Sequence, residues 1–109
     1  MKYLKINFKD IYIYIYIMIY YIFDLDDTLI IHYGNKDLYS SIKPEKALEN
    51  TLKHLNAYIF TNGTDSHAQL VLDKMNITQI KKVFARDTIQ YMKPDIRSFL
   101  YVQKKILYQ

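Results

Sequence analysis

The chain contains no cysteine. Disulfides and thiolate metal sites are therefore excluded. The absence fits a reducing compartment, so a cytoplasmic location is expected. Glycine occurs only twice, against twelve tyrosines, in 109 residues. Ile, Tyr, Asn and Lys dominate, and all four have AT-rich codons, which speaks of the genome rather than of chemistry. The formal charge is +4, yet no dense basic run or basic helix face is present, and nucleic acid is not an expected partner. Most of the lysines read as solvated surface. Their weak excess favours an anionic small molecule through long-range attraction. The length allows one small domain, and half of the residues are hydrophobic, enough for a modest core with little stability to spare.

A membrane-spanning apolar run is also lacking. Ile11 to Phe23 is thirteen apolar or aromatic residues between Asp10 and Asp24, whereas a spanning helix needs roughly 20. Lys2, Lys5 and Lys9 precede it in the manner of a signal peptide, but no small-residue cleavage site follows. Cleavage there would remove the best strand in the chain. A soluble protein with no membrane partner is the expectation. Within this stretch, Ile11 to Ile17 alternates Ile and Tyr without a break, as an in-frame ATATAT repeat would encode. Two expectations follow. Translation starts at Met18, leaving residues 1–17 as a low-complexity extension. Alternatively, the period-2 pattern of β-favouring residues forms a long strand that lengthens the first one.

From Met18 onward the pattern alternates. Ile19 to Phe23 reads as a buried parallel strand ending in acids. The stretch 28–41 has mixed polarity, with Gly34 and Asn35, and reads as a loop or flap. Lys43 to Leu55 places Ala47, Leu48, Leu52 and Leu55 on one helical face, with Pro44 in the first turn. Ala57 to Phe60 is a second strand, Asp65 to Met75 a helix, Val83 to Ala85 a short third strand, and Pro94 to Leu107 a final helix. This order predicts an α/β fold, a parallel sheet covered by helices. Ligands in such sheets bind beyond the carboxyl ends of the strands.

The polar residues of interest sit at those ends. Asp24, Asp26 and Asp27 follow the first strand within four positions. Clustered carboxylates raise one another's pKa and repel, and a hard divalent cation such as Mg²⁺ gives them a reason to be together. The competing explanation is an acidic strand-end turn with a helix cap, and the segment taken alone modestly favours function over it. Thr61-Asn62-Gly63 closes the second strand, and taken alone it is better explained as an ordinary Asn-Gly turn. Lys93-Pro94 opens the last helix, and alone it is a surface lysine. His67 could touch a substrate, but a helix-surface histidine is the reading preferred. His32 and His54 show no metal-ligand spacing and read as surface residues.

Taken in order, these three segments resemble the haloacid dehalogenase (HAD) superfamily of phosphatases. Phe23-Asp24-Leu25-Asp26-Asp27-Thr28 is similar to the family's first motif, Tyr58-Ile59-Phe60-Thr61 to its second, and Lys93 to its third. The resemblance covers about Met18 to Leu107. It implies a three-layer Rossmann-like parallel sheet with helices on both faces, and a Mg²⁺-dependent phosphomonoester hydrolase. Asp24 would be the nucleophile that forms an aspartyl-phosphate, and Asp26 the general acid and base. Mg²⁺ would be held by the Asp24 side chain and the Asp26 main-chain carbonyl. Asp27 would fill a variable position, and Thr28 would support the loop. Thr61, Asn62 and Lys93 would bind the phosphate, aided by a helix beginning near Thr64. The segment from Thr61 to Phe84, with His67-Ala68 and Asn76-Ile77, looks most like the nucleotidase-type branch. A small phosphate ester such as a nucleotide is then the expected substrate.

Two departures from the family pattern stand out. Only about thirty residues separate Thr28 from Thr61, too few for a full helical cap, so the core is expected to be incomplete and its site open. Beyond Lys93 the given sequence runs sixteen residues, with no Asp or Glu after Asp95, where the family's fourth, acidic motif would complete the Mg²⁺ shell. The strand carrying that motif would pair beside Ile19 to Phe23. Without it that edge is expected to be unpaired, a template for a dimer. The competing expectation is therefore a catalytically impaired remnant, a truncated gene product serving as a binding or interaction module. A peripheral membrane protein using the Ile/Tyr segment is a third, weaker reading.

Overall fold

A computed structural model describes residues 2–8, 11–17, 19–26, 29, 39 and 42–108. Asp27, Thr28, His32 and most of the segment 28–41 lie outside the described residues, as does Met18. The described residues form two sheets. The first is an antiparallel pair of β1 (Lys2–Phe8) and β2 (Ile11–Ile17), in register from Lys2 opposite Ile17 to Phe8 opposite Ile11. The alternating Ile/Tyr segment is thus a strand, as its period implies. It does not lengthen the next strand: it belongs to a sheet of its own, because β1 satisfies its backbone groups instead.

The second sheet is parallel, in the order β3 (Tyr20–Phe23), β4 (Asn56–Phe60), β5 (Lys82–Phe84). Parallel strands require crossovers. Helix α1 (Lys46–Leu52) precedes β4, α2 (Asp65–Lys74) joins β4 to β5, and α3 (Ile96–Leu107) follows. This is an α/β fold with a three-strand parallel sheet and three helices. Among the described residues, no helix is long and apolar enough to cross a membrane.

Strand β4 organises the core. Its side chains alternate between faces, and both are covered. Ala57 and Ile59 join Leu52 of α1 and Ala68, Val71 and Leu72 of α2 in one buried cluster. Tyr58 and Phe60 join Phe84 of β5 and Val102 and Ile106 of α3 in another. Such a central strand reads as a continuous apolar run because neither face meets water. Strand β3 behaves differently. It was expected to be buried, yet Tyr21 and Ile22 are 40% and 48% exposed. It is an edge strand of the described sheet, with only β4 beside it, so its apolar run is half-covered.

The helix ends correct the sequence-based boundaries. Pro44 lies before α1, whose N-cap is the extended Glu45; proline biases the residue preceding it away from the helical region. At the other end, His54 and Leu55 donate to the Thr51 and Leu52 carbonyls three residues back, so the chain tightens out of the α form. Helix α2 ends at Asn76, the left-handed residue with φ 60°, and Ile77 N–H reaches back to the Leu72 carbonyl at 2.9 Å. Asn76 also donates to Glu49 of α1. Lys46 and Lys53 flank that buried carboxylate, which explains an acid at the edge of an apolar cluster.

Candidate active site

The carboxyl ends of β3 and β4 lie side by side because Phe23 is in register with Ile59. The chain leaves β3 through Asp24, Leu25 and Asp26. Leu25 is fully buried in the α1/α2 cluster, and the Leu29 N–H closes a turn on its carbonyl at 3.0 Å. Anchoring the middle residue fixes the two acids that flank it. Asp24 accepts the Leu25 N–H at 2.9 Å, and its side chain stays half-exposed.

Strand β4 ends at the buried Thr61. The Thr61 N–H donates to the Phe84 carbonyl of β5 at 2.9 Å, and the Thr61 hydroxyl accepts the Gly63 N–H at 3.0 Å. The turn is further pinned by Arg86 N–H, which donates to the Gly63 carbonyl. Gly63 is glycine for a spatial reason. A Cβ there would stand 3.2 Å from the His67 ring, 3.3 Å from the Thr61 hydroxyl and 3.7 Å from an Asp26 carboxylate oxygen. Thr64 then caps α2 by accepting the His67 N–H at 3.2 Å.

Lys93 comes from the segment between β5 and α3, and the peptide bond that joins it to Pro94 is cis. Its ammonium donates to Asp24 at 3.1 Å and to the Phe60 carbonyl at 2.7 Å, and it lies 4.9 Å from the centre of the Phe60 ring. An ammonium carries three donors, so one is left for an incoming anion. The Asn62 side chain holds the same residue by its backbone. Its amide donates to the Lys93 carbonyl at 3.0 Å and accepts the Lys93 N–H at 3.1 Å. Both ends of the Asn62 amide are thus engaged with Lys93.

These residues converge. One open cavity of about 410 Å³ is lined by Asp24, Asp26, Thr61, Asn62, Gly63, Lys93 and Pro94. Asp24, Asp26, Thr61, Asn62 and Lys93, all named from the sequence, line it, while Asp27 and Thr28 lie outside the described residues. Two acids, one ammonium, a strand-end hydroxyl and a turn beside a capped helix N-terminus suit a small anion. Among the described residues, no group of three or more acids or histidines is placed to hold a metal.

His67 was expected at the helix surface, and the structure places it elsewhere. Its side chain is only 17% exposed, and Nε2 lies 3.0 Å from Asp26 Oδ1. Nδ1 lies 2.9 Å from the Tyr39 hydroxyl. The missed signal was position: a histidine in the first turn of a helix that starts where β4 ends lies at the ligand-binding end of a parallel sheet. Tyr39 carried no signal, being one tyrosine of twelve in a mixed-polarity loop. His54 is exposed, as expected.

Set against protein-family models, curated proteins and solved structures, the chain matches none.

Proposed function

We propose that this protein is a phosphomonoester hydrolase of the haloacid dehalogenase type, working through an aspartyl-phosphate. The observation that carries the proposal is the convergence of Asp24, Asp26, Thr61, Asn62 and Lys93 on one cavity at the carboxyl end of the parallel strands. The two core clusters, one on each face of β4, support reading the fold as a three-layer Rossmann-like core. The openness of the cavity suits a core without a full cap, and a small phosphate ester, a nucleotide among them, is the substrate class.

In this proposal Lys93, Thr61 and the Asn62 main chain hold the phosphoryl oxygens. The Asp24 carboxylate attacks phosphorus, the bond to the ester oxygen breaks, and Asp26 gives its proton to the departing alkoxide. Asp26, now a carboxylate, then takes a proton from water. That water attacks the phosphorus, the bond to Asp24 breaks, and inorganic phosphate leaves with both acids restored. Positioning and charge neutralisation do most of the work in such transfers. Lys93 offsets the repulsion between an anionic nucleophile and an anionic substrate, a service the geometry suits because its ammonium already touches Asp24.

The donor set fits Mg²⁺, a hard cation that takes oxygen ligands and ordinarily rests on one or two carboxylates, substrate phosphate and retained waters. The Asp24 carboxylate and the Asp26 main-chain carbonyl would hold it, and it would supply further charge neutralisation at the phosphate. Purified protein is expected to release phosphate from p-nitrophenyl phosphate in a Mg²⁺-dependent manner. Asp24→Asn should lose this activity, and equal turnover by mutant and wild type would refute the assignment.

A second reading is a site that binds phosphate without turning it over, the remnant or interaction module. Among the described residues no group of three or more acids or histidines is placed to hold a metal, and this favours it. Saturable phosphate binding in calorimetry, with no release from any ester, would select that reading.

A further inference from the structure

The two acids of the site are held by different partners, and the partner of Asp26 has no part in the scheme above. His67 spans the gap between Asp26 and Tyr39, with Nε2 3.0 Å from the Asp26 carboxylate and Nδ1 2.9 Å from the Tyr39 hydroxyl. The His67 and Tyr39 rings also touch, with centroids 5.7 Å apart. Four constraints act on this imidazole: its main-chain N–H is bound to Thr64, Gly63 leaves space for its edge, and each ring nitrogen has a side-chain partner. A histidine that merely fills space does not need both nitrogens engaged, and a surface histidine does not hold two partners that lie 41 and 28 residues away in sequence.

We propose that His67 is a positioning residue for Asp26, oriented in turn by Tyr39. The proposal rests on the phosphatase reading and deepens it. An acid that must meet both the leaving oxygen and, later, a water has to keep one carboxylate oxygen turned to the cavity. A hydrogen bond to Oδ1 anchors the other oxygen and sets the carboxylate plane. When Asp26 is a carboxylate, Nε2–H donates to it; in the neutral ring Nδ1 then accepts the Tyr39 O–H, which fixes the tautomer. When Asp26 holds the proton, it carries that proton on Oδ2, the oxygen not bonded to His67. The Gly63 site bears on the same atom, since a Cβ there would approach Oδ2 at 3.7 Å. Such second partners are usual where a reacting group must be held within a few tenths of an ångström.

The test compares two replacements of one residue. His67→Phe keeps a ring of similar size and removes both nitrogens. His67→Gln places an N–H₂ at about the reach of Nε2. The proposal expects His67→Phe to lower kcat about tenfold to a hundredfold with KM nearly unchanged, and His67→Gln to recover most of that loss. Equal kcat in wild type and His67→Phe would overturn it, as would a loss in both variants confined to KM. A second measurement does not depend on activity. The Nε2–H proton of His67, held by Asp26, should give an exchange-protected imidazole resonance in proton–nitrogen NMR spectra. That resonance should vanish in Asp26→Ala and persist in Asp24→Asn. Persistence in Asp26→Ala, or its absence from wild type in the cold, would overturn the contact. A wild-type protein that hydrolyses no ester but shows the resonance would sink the phosphatase reading while keeping the His67–Asp26 bond.

Discussion

Asp24 and Asp26 stand two residues apart at the end of one strand, yet the fold surrounds them differently. Asp24 meets an ammonium: Lys93 touches it at 3.1 Å, and its side chain is half-exposed. Asp26 meets an imidazole, and that imidazole is fixed from behind by a tyrosine. In the proposed reaction the Lys93 ammonium offsets the charge that builds where Asp24 meets an anionic substrate. A partner that can donate or accept suits a carboxyl that gives and regains a proton. Identical side chains can thus be assigned different work by what the neighbouring strand and helix bring to each.

The comparison predicts that the two acids fail in different ways. Asp24→Asn should lower turnover of any phosphate ester by at least about a thousandfold, because no acceptor for the phosphoryl group remains. Asp26→Asn should leave a distinct trace with p-nitrophenyl phosphate. This leaving group needs little protonation, so about one equivalent of p-nitrophenolate should appear as a burst before turnover stalls for want of a base. A burst from Asp24→Asn, or none from Asp26→Asn, would erase the distinction between them.

Next in size is the cation. Lys93→Met should reduce kcat by about 10²–10³ through loss of charge facing the phosphate. Its effect on stability should be under about 1 kcal/mol, since the half-exposed pair with Asp24 is solvent-screened; chemical denaturation measures the second part. Gly63→Ala should cost less, about tenfold in kcat. The added methyl forces the His67 ring and the Thr61 hydroxyl to yield by a few tenths of an ångström. A kcat unchanged in that variant would show that the Asp26 side of the site tolerates displacement.

How much of this was legible before folding depended on how far each partner lay along the chain. Asp24, Thr61 and Lys93 could be found because two of them close apolar runs and the third stands with Pro94 just before α3, which begins at Ile96 after its Asp95 cap. Strand ends in a parallel sheet share one edge, so their convergence followed from topology. The Ile/Tyr alternation was legible as a strand, while its antiparallel partner Lys2–Phe8 lacks that clean period and was not. His67 was misread because helix periodicity reports only on the face toward the core, and its partners lie 41 and 28 residues away. The use of the Asn62 amide to hold the Lys93 backbone is likewise a pairing across 31 residues that no local pattern encodes. Burial of β3 was overestimated because an apolar run cannot say whether a strand is central or at an edge.

The smallest expected effect lies away from the acids of the site. Asp95 caps α3 by accepting the Arg97 N–H, and the Arg97 guanidinium bonded to its side chain holds the carboxyl below its ordinary value near 3.8. A depressed native value means the folded state binds the proton less readily than the unfolded one, so the carboxylate favours folding. That contribution is present above the ordinary value and is lost as pH falls through the lower native one. Asp95→Ala should therefore melt at slightly lower temperature than wild type at neutral pH, with the gap closing in strong acid. A gap that widens on acidification would reverse the sign argued here.

The most direct test of the central claim is the covalent step on Asp24. Wild-type protein mixed with Mg²⁺ and p-nitrophenyl phosphate, quenched in acid and examined by intact-protein and peptide mass spectrometry, should carry one phosphoryl group on the peptide containing Asp24. Asp24→Asn should carry none, and Asp26→Asn should carry more than wild type. Phosphate release by wild type with no adduct in any of the three proteins, or an adduct that survives in Asp24→Asn, would contradict the account.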